Sequence, residues 1–224
     1  MPTAHCEIGD FNRTRVLLVE RFDRLWTADH KALLRLPQED MCQATGTSPL
    51  IKYEADGGPG MDQILGLLAS SGQRESDRAN FFRAQLLFWL LCAPDGHAKN
   101  FSIHLAPRGA FAMTPLYDVL SAYPMLGLGP NQINPHKIKL AMAVRGKNPH
   151  WKMRDVLRRH WNEVARRNGV GESAETIVAE LVQMTPAVIA MVGAKLPAQF
   201  PAHVVDSIFA GLQEAAERLT RMPE

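Results

Sequence analysis

Three oxygen-bearing side chains stand out by their type and order. The segment Ala93-Pro94-Asp95-Gly96-His97-Ala98-Lys99-Asn100 sets an Asp and an Asn five residues apart, and Thr114-Pro115-Leu116-Tyr117-Asp118 supplies a second Asp. An Asp at one end of a tight loop can face a substrate oxygen while the Asn turns its amide oxygen toward a cation. A hairpin between the two segments would return the chain so that Asp118 approaches the same ion. Mg²⁺ takes hard oxygen ligands and keeps several waters, so two side chains plus phosphate oxygens suffice. This order suits phosphoryl transfer from ATP: Asp95 accepts or orients a hydroxyl proton, and Asn100 and Asp118 hold Mg²⁺ at the phosphates. Singly, each residue has a plainer role: Asp95 can cap a turn, Asn100 can start a strand, and Asp118 can cap a helix starting near Val119. The three together in this order favour the site.

The elements that must position these residues are legible around them. Leu86-Leu87-Phe88-Trp89-Leu90-Leu91-Cys92 is apolar all round, which predicts a central buried helix over roughly 76–92 and a rigid base for the Asp95 loop. Phe-Ser-Ile-His-Leu and Ala-Phe-Ala-Met flank Ala106-Pro107-Arg108-Gly109, the pattern of a short β-hairpin. Further helical patterns cover roughly 37–46, 61–72, 152–169, 173–195 and 201–221, with Pro37 and Pro201 at first-turn positions. Ahead of them, residues 7–22 read as a strand pair, with the β-branched run Val16-Leu17-Leu18-Val19 after the turn-prone Gly9-Asp10-Phe11-Asn12. The Pro-, Gly- and Asn-rich stretch 121–136 reads as a long irregular loop. The expected fold is mainly α, of α+β type, with a short N-terminal strand pair and one small hairpin.

Composition excludes some classes of function. Apolar residues make up 46% and charged residues 21% of the 224, which suits a packed globular body and argues against long disorder. The strongly apolar run Leu86–Ala93 falls well short of the roughly 20 residues a bilayer requires, so no membrane association is expected. The first residues lack signal-peptide character, and Cys6, Cys42 and Cys92 lack metal or disulfide spacing, which together predict a cytoplasmic setting with reduced thiols. Net charge is only +2, yet Lys137 to Arg167 holds ten Lys/Arg against Asp155 and Glu163. Such a block is either a solvated helix face or a strip that attracts nucleic acid or an acidic partner. Arg158, Arg159, Arg166 and Arg167 are the residues expected on its exposed helix.

Four motifs in register carry a family resemblance. Leu36-Pro37-Gln38-Glu39-Asp40-Met41-Cys42-Gln43, Lys52-Tyr53-Glu54-Ala55-Asp56-Gly57-Gly58-Pro59-Gly60, Asp95-Gly96-His97-Ala98-Lys99-Asn100-Phe101-Ser102 and Leu116-Tyr117-Asp118 resemble the C-terminal half of HipA-type serine/threonine kinase toxins. The resemblance runs from about Glu7 to the C-terminus. It implies a protein-kinase-like C-lobe that uses ATP and Mg²⁺ to phosphorylate a serine on a protein, for the best-known members an aminoacyl-tRNA synthetase. It also implies a HipB-like antitoxin as partner, with operator DNA reached through that complex. Carried over by position, Asp95 resembles the catalytic Asp, and Asn100 and Asp118 the metal ligands. Glu20, Arg21 and Phe22 resemble the hinge whose backbone reads adenine. Lys99 and His97 would touch the γ-phosphate or orient the loop, and Gln38 would face the site.

Some features depart from ordinary protein kinases. Ala93-Pro94 stands where His-Arg would precede the catalytic Asp, and Val119-Leu120 follows Asp118 where Phe-Gly is usual. Both departures agree with the HipA resemblance. Fewer than twenty residues precede Glu20, and they hold no Gly-rich phosphate loop or phosphate-binding Lys. Gly57-Gly58-Pro59-Gly60 lies after the hinge, and its proline removes an N–H that a phosphate cradle would use, so it reads as a turn. Residues 1–24 are accordingly expected to be a remnant strand pair and hinge, and 25–224 the helical catalytic lobe. A chain of this kind is expected to have little activity alone, and to associate with itself or with a separate lobe through an unpaired apolar strand edge. The competing expectation is a catalytically inactive lobe that binds an antitoxin–DNA complex.

Overall fold

The computed structural model describes residues 1–224. Strands β1 (Cys6–Phe11) and β2 (Thr14–Val19) pair antiparallel through a two-residue turn in which Asn12 and Arg13 have φ of 46° and 76°. Two successive left-handed residues match the twist of the flanking strands, so the turn sets their register. A second hairpin follows, β3 (Arg24–Trp26) with β4 (Leu33–Arg35). Both hairpins display apolar side chains to solvent, including Phe11, Leu17, Leu25 and Trp26. The core, one cluster of buried apolar residues, begins only at Met41.

Strand β5 (Gln38–Asp40) runs into the four-residue helix α1 (Met41–Ala44), and α2 (Met61–Leu68) and α3 (Arg74–Leu90) follow. The α3 helix is the spine of the molecule, with Phe81, Phe82, Leu86 and Leu90 fully enclosed. It ends in a Schellman motif: Cys92 adopts φ 49°, its N–H donates to Trp89 O, and the Ala93 N–H donates to Phe88 O. Pro94 then bars continuation of the helix. Strands β6 (Ser102–Leu105) and β7 (Phe111–Met113) form the expected hairpin, and β5 adds to its edge to give a sheet of order β5-β6-β7. The start of α3 is tied to this sheet by the buried Asp77 carboxylate, which accepts from the Ser71 hydroxyl and from the Met113 N–H.

Strands β8 (Lys139–Arg145) and β9 (Pro149–Lys152) make a further hairpin that packs on α4 (Arg158–Arg167). The long helices α5 (Glu175–Lys195) and α6 (Ala202–Arg221) complete the bundle. By length and composition α5, and not the Leu86 run, is long and apolar enough to cross a membrane. Here Val178 and Leu181 are buried in the common core, and Glu180 pairs with Arg83 of α3 at 2.6 Å.

Several expectations require correction. Residues 37–46 are not one helix but β5 and α1, because pairing with β6 satisfies the backbone of Gln38–Asp40. Within 152–169 only Arg158–Arg167 is α-helical. The hairpins β3–β4 and β8–β9 add to the strands expected, making a mixed α/β fold with six helices and small sheets. The basic strip is not one free face. Arg158 binds Glu175, Arg166 binds Glu163 at 2.6 Å and Arg167 binds Asp62 at 2.9 Å, while Arg145 pairs with Glu54. Residues 57–60 form the expected turn: Gly57 has φ 97°, and a Cβ at Gly58 would stand 2.1 Å from Ile51 O.

Burial of His160 at the start of α4 has a consequence for stability. Desolvation first, then the nearby His150 and Arg159, press its pKa from 6.5 down to about 4. Between those values the unfolded chain binds the proton and the folded one does not, so folding stability falls as pH drops from about 6.5 to about 4. The contribution is on the order of 3 kcal/mol. A His160→Gln variant should show a flatter dependence of unfolding free energy on pH across this window in urea titrations. Parallel profiles for variant and parent would refute the assignment.

Candidate active site

The Asp95 loop leaves α3 at its C-terminus and is pressed against it. A Cβ at Gly96 would lie 2.1 Å from two ring carbons of Phe88, so the backbone of the loop rests directly on that ring. Asp95 itself faces outward, its side chain 58% exposed. Its Oδ1 accepts from the Tyr53 hydroxyl at 2.7 Å, and this bond, followed by burial, pushes the Tyr53 pKa up to about 12. His97 is buried, with its ring edge-on to Tyr53 and Nε2 3.9 Å from Asp95 Oδ1. Burial holds its pKa below the ordinary value against the pull of Asp95.

Asn100 and Asp118 meet directly. The Asn100 amide nitrogen donates to Asp118 Oδ2 at 2.7 Å, which leaves Asn100 Oδ1 buried with no hydrogen-bond partner. Asp118 does not cap a helix; it adopts φ 57°, a left-handed conformation that Asp tolerates better than most residues. Such residues occur in turns and cluster at functional sites. An unpartnered amide oxygen beside a carboxylate is a hard-oxygen pair of the sort Mg²⁺ takes together with phosphates and water.

Lys99 projects to Asp40, its Nζ 3.0 Å from Oδ2, while Asp40 Oδ1 caps α1 by accepting from the Gln43 N–H. Tyr117 locks the two halves of the site together. Its hydroxyl donates to Lys99 O at 2.8 Å and lies 2.6 Å from Ser102 Oγ.

On the other side of Tyr117, a cleft is lined by Val19, Glu20, Arg21, Phe22, Gln38 and Tyr117. The hinge residues and Gln38 are thus brought to one place. Gln38 Oε1 is buried there without a partner, and Phe22 packs on Tyr117 with ring centroids 5.4 Å apart. The Glu20 N–H is committed to His5 O, whereas Glu20 C=O and the Arg21 and Phe22 N–H groups have no backbone partner. The Arg21 guanidinium is drawn aside by buried Asp23, whose pKa it lowers, with help from Arg24, to about 2. Tyr53, Asp40, Tyr117 and Asp23 were not singled out from sequence. Tyr53, Asp40 and Tyr117 lie in the motifs that carry the resemblance, which was the only signal available.

The close packing of Gly96 yields a test of how the loop is held. Gly96→Ala should force the loop off the enclosed Phe88 ring and cost about 1–3 kcal/mol of stability, as overpacking does. A urea midpoint equal to that of the parent would mean that the ring yields freely and does not position Asp95.

Comparison with known proteins identifies the family and the fold. Residues 1–189 match the HipA-like C-terminal domain. Y4mE of Sinorhizobium fredii, provisionally named a kinase, is 34% identical over 172 residues, covering 76% of this chain and 38% of that protein. The serine/threonine-protein kinase toxin HipA of Shewanella oneidensis is 32% identical over 132 residues, 54% of this chain and 30% of that one. The chain therefore spans less than two-fifths of the length of these curated relatives. Among solved structures, HipA in the Shewanella oneidensis complex of HipA, HipB and operator DNA superposes with a TM-score of 0.82 at 22% identity, covering 98% of this chain and 52% of that one. The Helicobacter pylori proinflammatory kinase CtkA shares the fold at a TM-score of 0.61 and 8% identity, over 98% of this chain and 78% of that one. The chain belongs to the HipA-like C-terminal domain family and has a kinase-like fold.

Proposed function

We propose that residues 1–224 form the catalytic half of a HipA-type kinase that transfers a phosphoryl group from Mg-ATP to a serine of a protein. The observation that carries this reading is the unpartnered Asn100 Oδ1 beside Asp118, set at the foot of the loop that bears Asp95. Mg-ATP, when bound, would supply the phosphoryl group, and Asn100 and Asp118 are the residues that would hold the ion. Asp95, exposed and oriented by the Tyr53 hydroxyl, would receive the substrate hydroxyl's hydrogen bond and draw its proton away. The free backbone groups of Glu20, Arg21 and Phe22, with the Gln38 amide, would read the adenine. Lys99, only part-buried, would hold the loop through Asp40 and remain near enough to solvent to neutralise phosphate charge.

Residues 1–24 are assigned in this reading to the hinge side of the nucleotide lobe and 25–224 to the catalytic lobe. The exposed apolar faces of the β1–β2 and β3–β4 hairpins would take the lobe that covers the α- and β-phosphates, from the same or another chain. A HipB-like antitoxin is the partner this reading assigns, since the Shewanella HipA structure contains HipB and operator DNA. DNA would then be reached only within such a complex, and an aminoacyl-tRNA synthetase is the class of substrate that the resemblance suggests. A cytoplasmic setting accords with ATP use.

Asp118→Asn is the informative substitution, because Asn tolerates the left-handed backbone while the ligand charge is lost. Titration calorimetry should show Mg²⁺-dependent ATP binding weakened at least tenfold, since even partners one shell beyond a metal cost about 10–100-fold. Circular dichroism should remain that of the parent. Undiminished Mg²⁺-dependent binding by a folded variant would overturn the assignment and favour an inactive lobe that serves as a binding module.

A further inference from the structure

Where the turn of the β8–β9 hairpin meets the start of α4, a cleft opens whose lining has no apolar side chain. Lys147, Asn148, His150, Arg159, His160 and Glu163 surround it, and it shares no residue with the cleft at the hinge. The two imidazoles are stacked face to face, with centroids 3.8 Å apart and planes inclined by 7°. Gly146 leaves room for this stack, since a Cβ there would come within 3.1 Å of His160 Cδ2.

His160 is the informative member because it is only 7% exposed yet lines the cleft. Its Nδ1 accepts from the Leu157 N–H at 3.2 Å, so the proton of the neutral ring must sit on Nε2. No protein acceptor meets that Nε2–H, which is left to solvent or to a ligand in the cleft. Around it, Lys147 and Arg159 form no ion pair, unlike Arg158, Arg166 and Arg167, which are engaged by Glu175, Glu163 and Asp62. The one carboxylate in the lining, Glu163, is itself paired with Arg166 at 2.6 Å. Two unpaired cations thus meet in a concave spot that also presents the His160 Nε2–H.

We propose that this cleft binds a terminal phosphate dianion, either free inorganic phosphate or the phosphoryl group of a phosphoserine. A nucleic-acid backbone fits less well. It presents singly charged diesters along a line and is met by a stripe of free cations, whereas the arginines that would extend this spot into a stripe are neutralised. The inference is independent of the kinase reading.

Imidazole ¹H–¹³C spectra of the 224-residue chain at neutral pH provide the test, with inorganic phosphate, phosphoserine and a short DNA duplex titrated separately. The His150 and His160 resonances should move saturably with phosphate, with phosphoserine or with both, and the stronger of the two identifies the source. Lys147→Ala and Arg159→Ala, both at exposed positions, should each weaken that binding about tenfold, the worth of one charge-assisted contact. The proposal is overturned if neither phosphate species moves the resonances, if the duplex alone does so, or if the doubly substituted chain binds phosphate as the parent does.

Discussion

Burial of the second half of α3, from Phe81 to Leu90, is the constraint from which the candidate site follows. A helix enclosed along Phe81, Phe82, Leu86 and Leu90 cannot tilt or slide without opening cavities, so whatever is bonded to its ends inherits its position. At its start, Asp77 fixes β7 through the Met113 N–H. At its end, the Schellman turn and the Phe88 ring seat the Asp95 loop, while Leu90 O and Leu91 O accept from the hydroxyls of Tyr123 and Ser121. The segment after Asp118 is thereby tied to the same helix end as the loop that carries Asp95. Residues distant in sequence converge because one rigid helix anchors both segments.

Against this well-satisfied scaffold, the few unsatisfied atoms become informative. Of the seven buried side-chain atoms without partners, Gln38 Oε1, His97 Nδ1 and Asn100 Oδ1 fall in the hinge cleft or the Asp95–Asn100 loop, and the other four belong to Arg78 and Arg83 of α3, Trp151 of β9 and Trp161 of α4. A buried polar atom left unpaired costs on the order of 1–3 kcal/mol, and Asp118 adds the strain of a left-handed backbone. Core packing offsets these costs in the isolated fold. A ligand that supplied the missing partners would recover part of that free energy as binding.

The order Asp95, Asn100, hairpin, Asp118 was legible because each step is local: a turn, a strand start, a two-strand return. The long helices were legible for the same reason, since apolar periodicity is a property of one segment. What escaped the sequence was pairing at a distance. Gln38–Asp40 followed a proline and looked like a helix start, but its backbone pairs with β6, and no pattern within residues 37–46 encodes that partner. Tyr53 reaching Asp95 and Lys99 reaching Asp40 are likewise contacts between remote segments. Arg158 and Arg167 looked like an exposed basic face because helical spacing reveals neither Glu175 nor Asp62 as their acceptors. The plainer role open to Asp118, a cap for a helix near Val119, is not taken: the residue adopts φ 57° and no helix begins there.

The two walls of the candidate site differ in how firmly they are held. The wall with Asp95, Asn100 and Asp118 is rooted in the core, whereas the wall with Glu20, Arg21 and Phe22 hangs from hairpins that lie outside it. Segments with few buried apolar contacts open at lower free energy than core helices do. Tyr117 and Phe22 form the main bridge between the walls, since Tyr117 bonds to Lys99 O and Ser102 on one side and packs on Phe22 on the other. A nucleotide spanning both walls would therefore have to order the hinge against a catalytic wall already in place. Part of its binding free energy would go into that ordering, and any protein surface that covered the exposed hairpin faces would do the same work in advance.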